Sequence, residues 1–229
     1  MTTHNLQVGE RKVLGIKIDD VPKETALERI SEAKEGFLVF TPGPEFLVTA
    51  SKDPEFKEIL NKSDLNVPDG VGLHLAGVKN RVPGVDLMID LCALAASKGW
   101  SVGFLGGFND VASKAASKLK EKFPELKVIY AKSGDITIPS DRVDVLFVGL
   151  GHPKQEKFLF NIVKEKKFRI GMGVGGSFDL IAGVKPRAPK VMQQMGIEWL
   201  WRGLQNPKHL VRVWKATGEY LWLLTSSKL

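Results

Sequence analysis

The chain has 229 residues, 43% hydrophobic and 26% charged, with a formal charge of +7 and an isoelectric point near 9.4. That composition is a soluble protein's, with enough length for a real core in one large or two small domains. It excludes a disulfide framework or cysteine metal site, because Cys92 is the single cysteine and lies in an apolar run. No apolar run approaches the roughly 18 residues of a membrane span. Residues 1–10 are polar and hold no apolar leader, so a cytoplasmic protein is expected. The basic balance favours an anionic partner: nucleic acid, a nucleotide diphosphate or an acidic lipid surface.

In chain order, residues 13–18 read as a first strand, and Pro22 opens a helix with Ala26, Leu27, Ile30 and Ala33 on its apolar face. Residues 37–41 form a buried strand stopped by Pro42, Gly43 and Pro44. Two helical stretches, 45–51 and 54–61, lead to a short strand ending at Leu65-Asn66-Val67. Pro68 then breaks the ladder, and Gly70 and Gly72 open a tight turn. A carboxylate at such a strand end sits on the rim where α/β sheets bind ligands. Asp69 is therefore either a general base or a cap on the helix that follows. Thr41, also at a strand end, is a ligand contact or a turn-stabilising hydroxyl. Arg81, in the polar loop 79–84, is a surface charge or a bidentate phosphate clamp.

Residues 85–98 are helical and closed by Gly99. The strand at 100–105 runs into Gly106 and Gly107, a place for close backbone approach. An amphipathic helix with a lysine face (108–123), a strand (127–131) and a loop (133–141) follow. The buried strand at 143–150 leads through Gly151 into a helix reaching Lys166, and the strand at 169–174 ends in Gly175-Gly176-Ser177-Phe178-Asp179. Gly171, Gly173 and Gly176 fit a dinucleotide-type GxGxxG, but they fall inside the strand rather than after it. Gly175 and Gly176 are read instead as bringing backbone N–H groups to a diphosphate, with Asp179 accepting bonds from a ribose or sugar. There is no P-loop and no Asp-x-Asp pair, so neither a metal-bridged diphosphate nor any cofactor is expected.

Strands alternate with helices to about residue 195, which predicts a Rossmann-like α/β domain with a mostly parallel sheet flanked by helices over 1–195. Residues 196–229 differ. They read as a helical C-terminal appendage, two helices broken near Asn206-Pro207, with Trp199, Trp201, Trp214 and Trp222 beside Arg202, Lys208, His209, Arg212 and Lys215. Such a tail suits an anionic headgroup surface or a helical pair docked on the core.

Six stretches, taken together, resemble the WecG/TagA/CpsF glycosyltransferase family. They are Thr41-Pro42, Asn66-Val67-Pro68-Asp69-Gly70-Val71-Gly72, Arg81-Val82-x-Gly84-x-Asp86-Leu87-Met88, Leu105-Gly106-Gly107, Gly149-x-Gly151-x-Pro153-Lys154-Gln155-Glu156 and Gly173-Val174-Gly175-Gly176-Ser177-Phe178-Asp179. The resemblance implies an inverting, metal-independent transferase. It would move a sugar of the N-acetylmannosamine type from a UDP-sugar to a polyprenyl-diphosphate-linked acceptor, in cell-surface polysaccharide synthesis. It also implies that Asp69 is the base and that Thr41, Arg81 and Gln155, with Gly151 beside it, line the substrate pocket. Arg202 and Arg212 would complete that pocket from a tail that touches the inner face of the membrane. Two positions depart from the family. Gly43 stands where an asparagine is usual, and His209 where a close relative has arginine. The rival readings are a nicotinamide-dependent oxidoreductase and a nucleic-acid binder. The second is disfavoured because the basic and aromatic residues gather in the tail rather than on a sheet face. The oligomeric state is left open, a homo-oligomer included.

Overall fold

The first apolar run is two strands, not one. Leu14 (φ 50°) and Gly15 (φ 76°) both adopt left-handed backbone, the geometry of a tight hairpin turn. β1 (Glu10–Val13) and β2 (Ile16–Asp19) therefore pair antiparallel, with Val13 opposite Ile16. The structure, a computed structural model, describes residues 9–134, 137–205 and 207–226; the side chains of residues 202 and 207–212 lie outside the description.

The other strands form a single sheet: β3 (Phe37–Phe40), β4 (Leu65–Asn66), β5 (Ser101–Gly106), β6 (Lys127–Lys132), β7 (Val143–Gly149) and β8 (Phe168–Gly173). Their order is β4-β3-β8-β7-β5-β6 and every pairing is parallel. Side chains alternate across a strand, so Val39, Phe104, Phe147 and Met172 face one helical layer while Phe40, Leu105, Leu146 and Val148 face the other. The first layer comprises α1 (Lys23–Ser31), α4 (Gly84–Lys98), α5 (Val111–Lys122) and α7 (Ser177–Ala182). The second comprises α2 (Pro44–Lys52), α3 (Pro54–Lys62), α6 (Lys154–Ile162) and the hairpin. Cys92 lies fully buried in the first layer, and burial pushes its thiol pKa up.

All six strands end on one edge. There the chain leaves β5 for α5 on one face and the adjacent β7 for α6 on the other, which makes the crevice between them the topological switch point of the sheet. After the short α8 (Lys190–Gln194), the tail forms α9 (Glu198–Gln205) and α10 (Pro207–Ser226), broken where Pro207 demands it. α10 packs along α2. Tyr220 is fully buried in the second layer, and Glu219 pairs with Lys52 at 2.6 Å. Its opposite face is open, with Trp214 67% and Trp222 65% exposed. Among the described residues, no helix is long and apolar enough to cross a membrane.

Candidate active site

Asp69 stands where the loops after β3 and β4 meet. The two loops are joined by backbone bonds: Val67 N–H donates to the Phe40 carbonyl (2.9 Å) and Asp69 N–H to the Pro42 carbonyl (3.0 Å). The half-buried Asp69 carboxylate does not cap the 3-10 helix that follows it at Val71–Ala76, whose N-cap is Gly70. Its Oδ2 instead accepts the N–H of Gly84, the first residue of α4, at 3.2 Å. That bond orients the carboxylate at the positive end of a 15-residue helix. Thr41 closes the cluster, since a Cβ on Gly84 would lie 2.9 Å from its Oγ1. Gly43 explains its own departure from the family. A Cβ there would lie 2.6 Å from the Asp69 carbonyl oxygen, so no side chain fits while the loops are this close.

The base of this corner is anchored from behind. Buried Asp19 accepts the Asn66 N–H at 2.7 Å and pairs with Arg29 at 3.0 Å; burial raises its pKa. Asp20 accepts N–H groups from Lys79 and Asn80 and an ion pair from Arg11. Burial pushes its pKa up, but those bonds outweigh it and hold it below the usual range. Together they set the loop that carries Arg81. Neither aspartate stood out in the sequence, because the backbone N–H groups they hold are 47 to 60 residues away.

The glycine-rich rim is arranged differently from expectation. Gly107 N–H bonds the Gly149 carbonyl at 2.8 Å, drawing together the ends of β5 and β7. Gly175 was expected to turn its N–H toward a diphosphate. That N–H is engaged by Gln155 Oε1 at 2.9 Å, and the same oxygen accepts Gly151 N–H at 3.1 Å. Gln155 Nε2 donates to Glu156 Oε1 at 2.7 Å. Gln155 therefore ties two rim loops together with its whole amide, rather than reaching out to a substrate. Glu156 is fully buried, and burial pushes its carboxyl up to about 7. The glycines of the GxGxxG match serve packing: a Cβ on Gly171 would strike Phe168 and Leu159, and one on Gly173 would strike Gln155 and Glu156. Gly171 and Gly173 lie within β8 and only Gly176 stands at a helix start, so the three do not form the phosphate turn between strand and helix that the nicotinamide reading needs.

Of the remaining site residues, Arg81 faces the tail. Arg81 donates to the Gln193 carbonyl (2.7 Å) and to Glu198 (2.8 Å), so in this structure the guanidinium binds the appendage and not an open phosphate site. Arg187 meets Asp86 at 2.7 Å through Nη1 and 2.8 Å through Nη2, and extends the network to Glu198. Asp179 pairs with Lys185 at 3.2 Å. The side chains of Arg202, His209 and Arg212 lie outside the described residues. Among the described residues, no three of His, Cys, Asp and Glu gather as metal ligands.

A parallel sheet whose C-terminal rim holds an oriented carboxylate at the β3–β4 corner and glycine-rich loops at the switch point is of the class that binds ligands along that rim. The model of the glycosyl transferase WecG/TagA/CpsF family matches residues 11–229, and the chain belongs to that family. It is thus a glycosyltransferase, and the oxidoreductase alternative falls. Similar curated proteins include the N-acetylglucosaminyldiphosphoundecaprenol N-acetyl-beta-D-mannosaminyltransferases of Staphylococcus aureus strains MRSA252 and NCTC 8325 / PS 47. Each is 27% identical over 236 residues, covering 94% of this chain and 92% of the relative.

Proposed function

We propose that the protein transfers N-acetylmannosamine, or a closely related sugar, from a UDP-sugar to N-acetylglucosamine on a polyprenyl diphosphate, with inversion and without a metal, as a step in making a cell-surface polymer. The names of the relatives support the sugar and the acceptor. The observation that carries the mechanism is the Asp69 carboxylate, oriented by Gly84 N–H at the sheet rim. In this reading the acceptor hydroxyl oxygen attacks the anomeric carbon opposite UDP. The bond from that carbon to the β-phosphate oxygen breaks, and the hydroxyl proton passes to Asp69. Thr41 Oγ1 contacts the sugar beside it. Charge developing on the leaving UDP is met by cationic side chains of the tail and by the rim backbone.

The acceptor is a membrane lipid, so the protein would work as a peripheral protein on the inner face. The exposed Trp214 and Trp222 of α10 support this placement, because indole rings settle at headgroup depth. Asp69→Asn tests the mechanism. UDP binding should persist while turnover falls by about two to four orders of magnitude. Near-normal turnover would reduce Asp69 to a helix-anchoring residue. Activity should also survive EDTA; a collapse restored by Mg²⁺ or Mn²⁺ would refute the metal-free step.

A further inference from the structure

Glu156 is a buried acid that the proposed chemistry does not use. It is 0% exposed, in the first turn of α6, and its Oε2 has no hydrogen-bond partner. Its Oε1 accepts the Gln155 amide N–H at 2.7 Å, while Gln155 Oε1 gathers Gly151 N–H and Gly175 N–H at 3.1 and 2.9 Å. An amide has two unlike ends. Reversed, Gln155 would set its NH₂ against two N–H donors and its oxygen against the Glu156 oxygen. The carboxyl group thus selects the one orientation in which Gln155 can hold both loops. The pair is also sterically enclosed, since a Cβ on Gly173 would lie 2.8 Å from Gln155 Nε2 and 2.9 Å from Glu156 Oε1.

We propose that Glu156 is a positioning residue: by orienting the Gln155 amide it sets the spacing of the Gly151 and Gly175 loops, and with it the affinity of the crevice for the diphosphate of the donor. The inference about the donor rests on the function proposed above; the inference about the loops does not. Both loops follow adjacent parallel strands, β7 and β8; the Gly151 loop borders the switch point and the Gly175 loop stands one strand further along the same rim. Beyond the backbone bond from Val174 N–H to the Val148 carbonyl (2.9 Å), a single side-chain oxygen bridges them. Losing its orientation frees two backbone N–H groups and lets the loops part, without removing any group that touches the reacting atoms.

The experiment compares Glu156→Leu, Glu156→Gln and Gln155→Ala in the full chain. Amide hydrogen exchange at Gly151 and Gly175 is read alongside UDP affinity and the separate kinetic constants. In Glu156→Leu and Gln155→Ala, both glycine amides should exchange at least about tenfold faster, while the Gly107 amide, bonded to Gly149, stays protected. UDP affinity should fall about tenfold and donor KM rise in step, with kcat changed less than about threefold. Glu156→Gln keeps an acceptor oxygen for the Gln155 amide and should restore both protection and affinity. Circular dichroism and a cooperative melt establish folding, and the glutamine variant supports the comparison if the leucine variant does not fold. Unchanged protection at Gly151 and Gly175 in a folded Glu156→Leu would overturn the proposal. So would failure of Glu156→Gln to restore it. If UDP does not bind the unaltered protein, the function proposed above falls, and the exchange data still decide the role of Glu156.

Discussion

Replacing Gly43 by alanine isolates the packing that holds Asp69. At φ −119° the backbone of Gly43 suits any residue, so conformation is no reason for glycine here. The reason is the Asp69 carbonyl oxygen, 2.6 Å from where a Cβ would stand. Relieving that contact to an ordinary 3.4 Å separates the two strand-end loops by about 0.8 Å. The loops are tied by Asp69 N–H to Pro42 and by the Asp69 carboxylate to Gly84, so the shift is transmitted to the carboxylate. Overpacking of this kind costs about 1–3 kcal/mol, which for a chain of this size lowers the melting temperature by roughly 3–10 °C. A misplacement on the order of 1 Å at a reacting group costs up to about a hundredfold in rate. Gly43→Ala is therefore expected to reduce kcat by about tenfold to a hundredfold while UDP affinity changes less than about threefold. The assay is turnover with a short-chain soluble acceptor, alongside a thermal melt. Gly43→Asn, which installs the residue usual in the family, should behave no better. An alanine variant with unchanged kcat and melting temperature would mean that the loops part freely and that this contact does not place Asp69.

Two further outcomes follow, one from a buried group and one from an exposed pair. The Glu156 carboxyl titrates near 7 when folded and near its ordinary 4.5 when unfolded. Between those values the folded state keeps a proton that the unfolded chain has released, so raising the pH favours unfolding. The loss through this group should approach about 3 kcal/mol between pH 4.5 and 8. Urea unfolding at pH 5 and pH 8 should show that loss in the unaltered protein and its absence in Glu156→Gln; equal pH slopes would refute it. Trp214→Ala with Trp222→Ala should weaken binding to phosphatidylglycerol vesicles by about thirtyfold, at about 1 kcal/mol for each half-buried indole. Binding should also weaken as salt rises. Undiminished binding of the double variant would move the membrane contact away from α10.

Much of this architecture was readable because local chemistry and global fold agree. The apolar runs of β3, β7 and β8 are bounded by Pro42, Gly149 and Gly175, and Pro207 breaks the tail where the structure does. The rim position of Asp69 followed from Pro68 and Gly70. What could not be read was which polar groups already have partners. Arg81 finds Glu198 across 117 positions, and Gly175 finds Gln155 across 20. Neither pairing leaves a local signature, so an unpaired residue in the sequence looks available for a ligand. The hairpin was missed for a related reason: Leu14-Gly15 lacks the Asn-Gly or Asp-Gly signature of its turn. The docking of α10 depends on Tyr220 meeting α2, a contact that helical periodicity alone does not assign.

The strand order has a consequence for synthesis. β3 is made early, yet its inner neighbour is β8, and Phe37 pairs with Ile170, 133 positions later. At about 5–20 residues per second the ribosome needs on the order of 10 s to deliver that partner. Through this interval the β4–β3 pair presents an unsatisfied edge of the kind that recruits other chains. The half-sheet β7-β5-β6 can assemble meanwhile, because each pairing in it is shorter in range. β8 is then the strand that closes the sheet, joining the β4–β3 corner to the half-sheet that carries the crevice. A nascent chain halted before residue 168 would carry Asp69, but not the strand that fixes it beside the half-sheet holding the crevice.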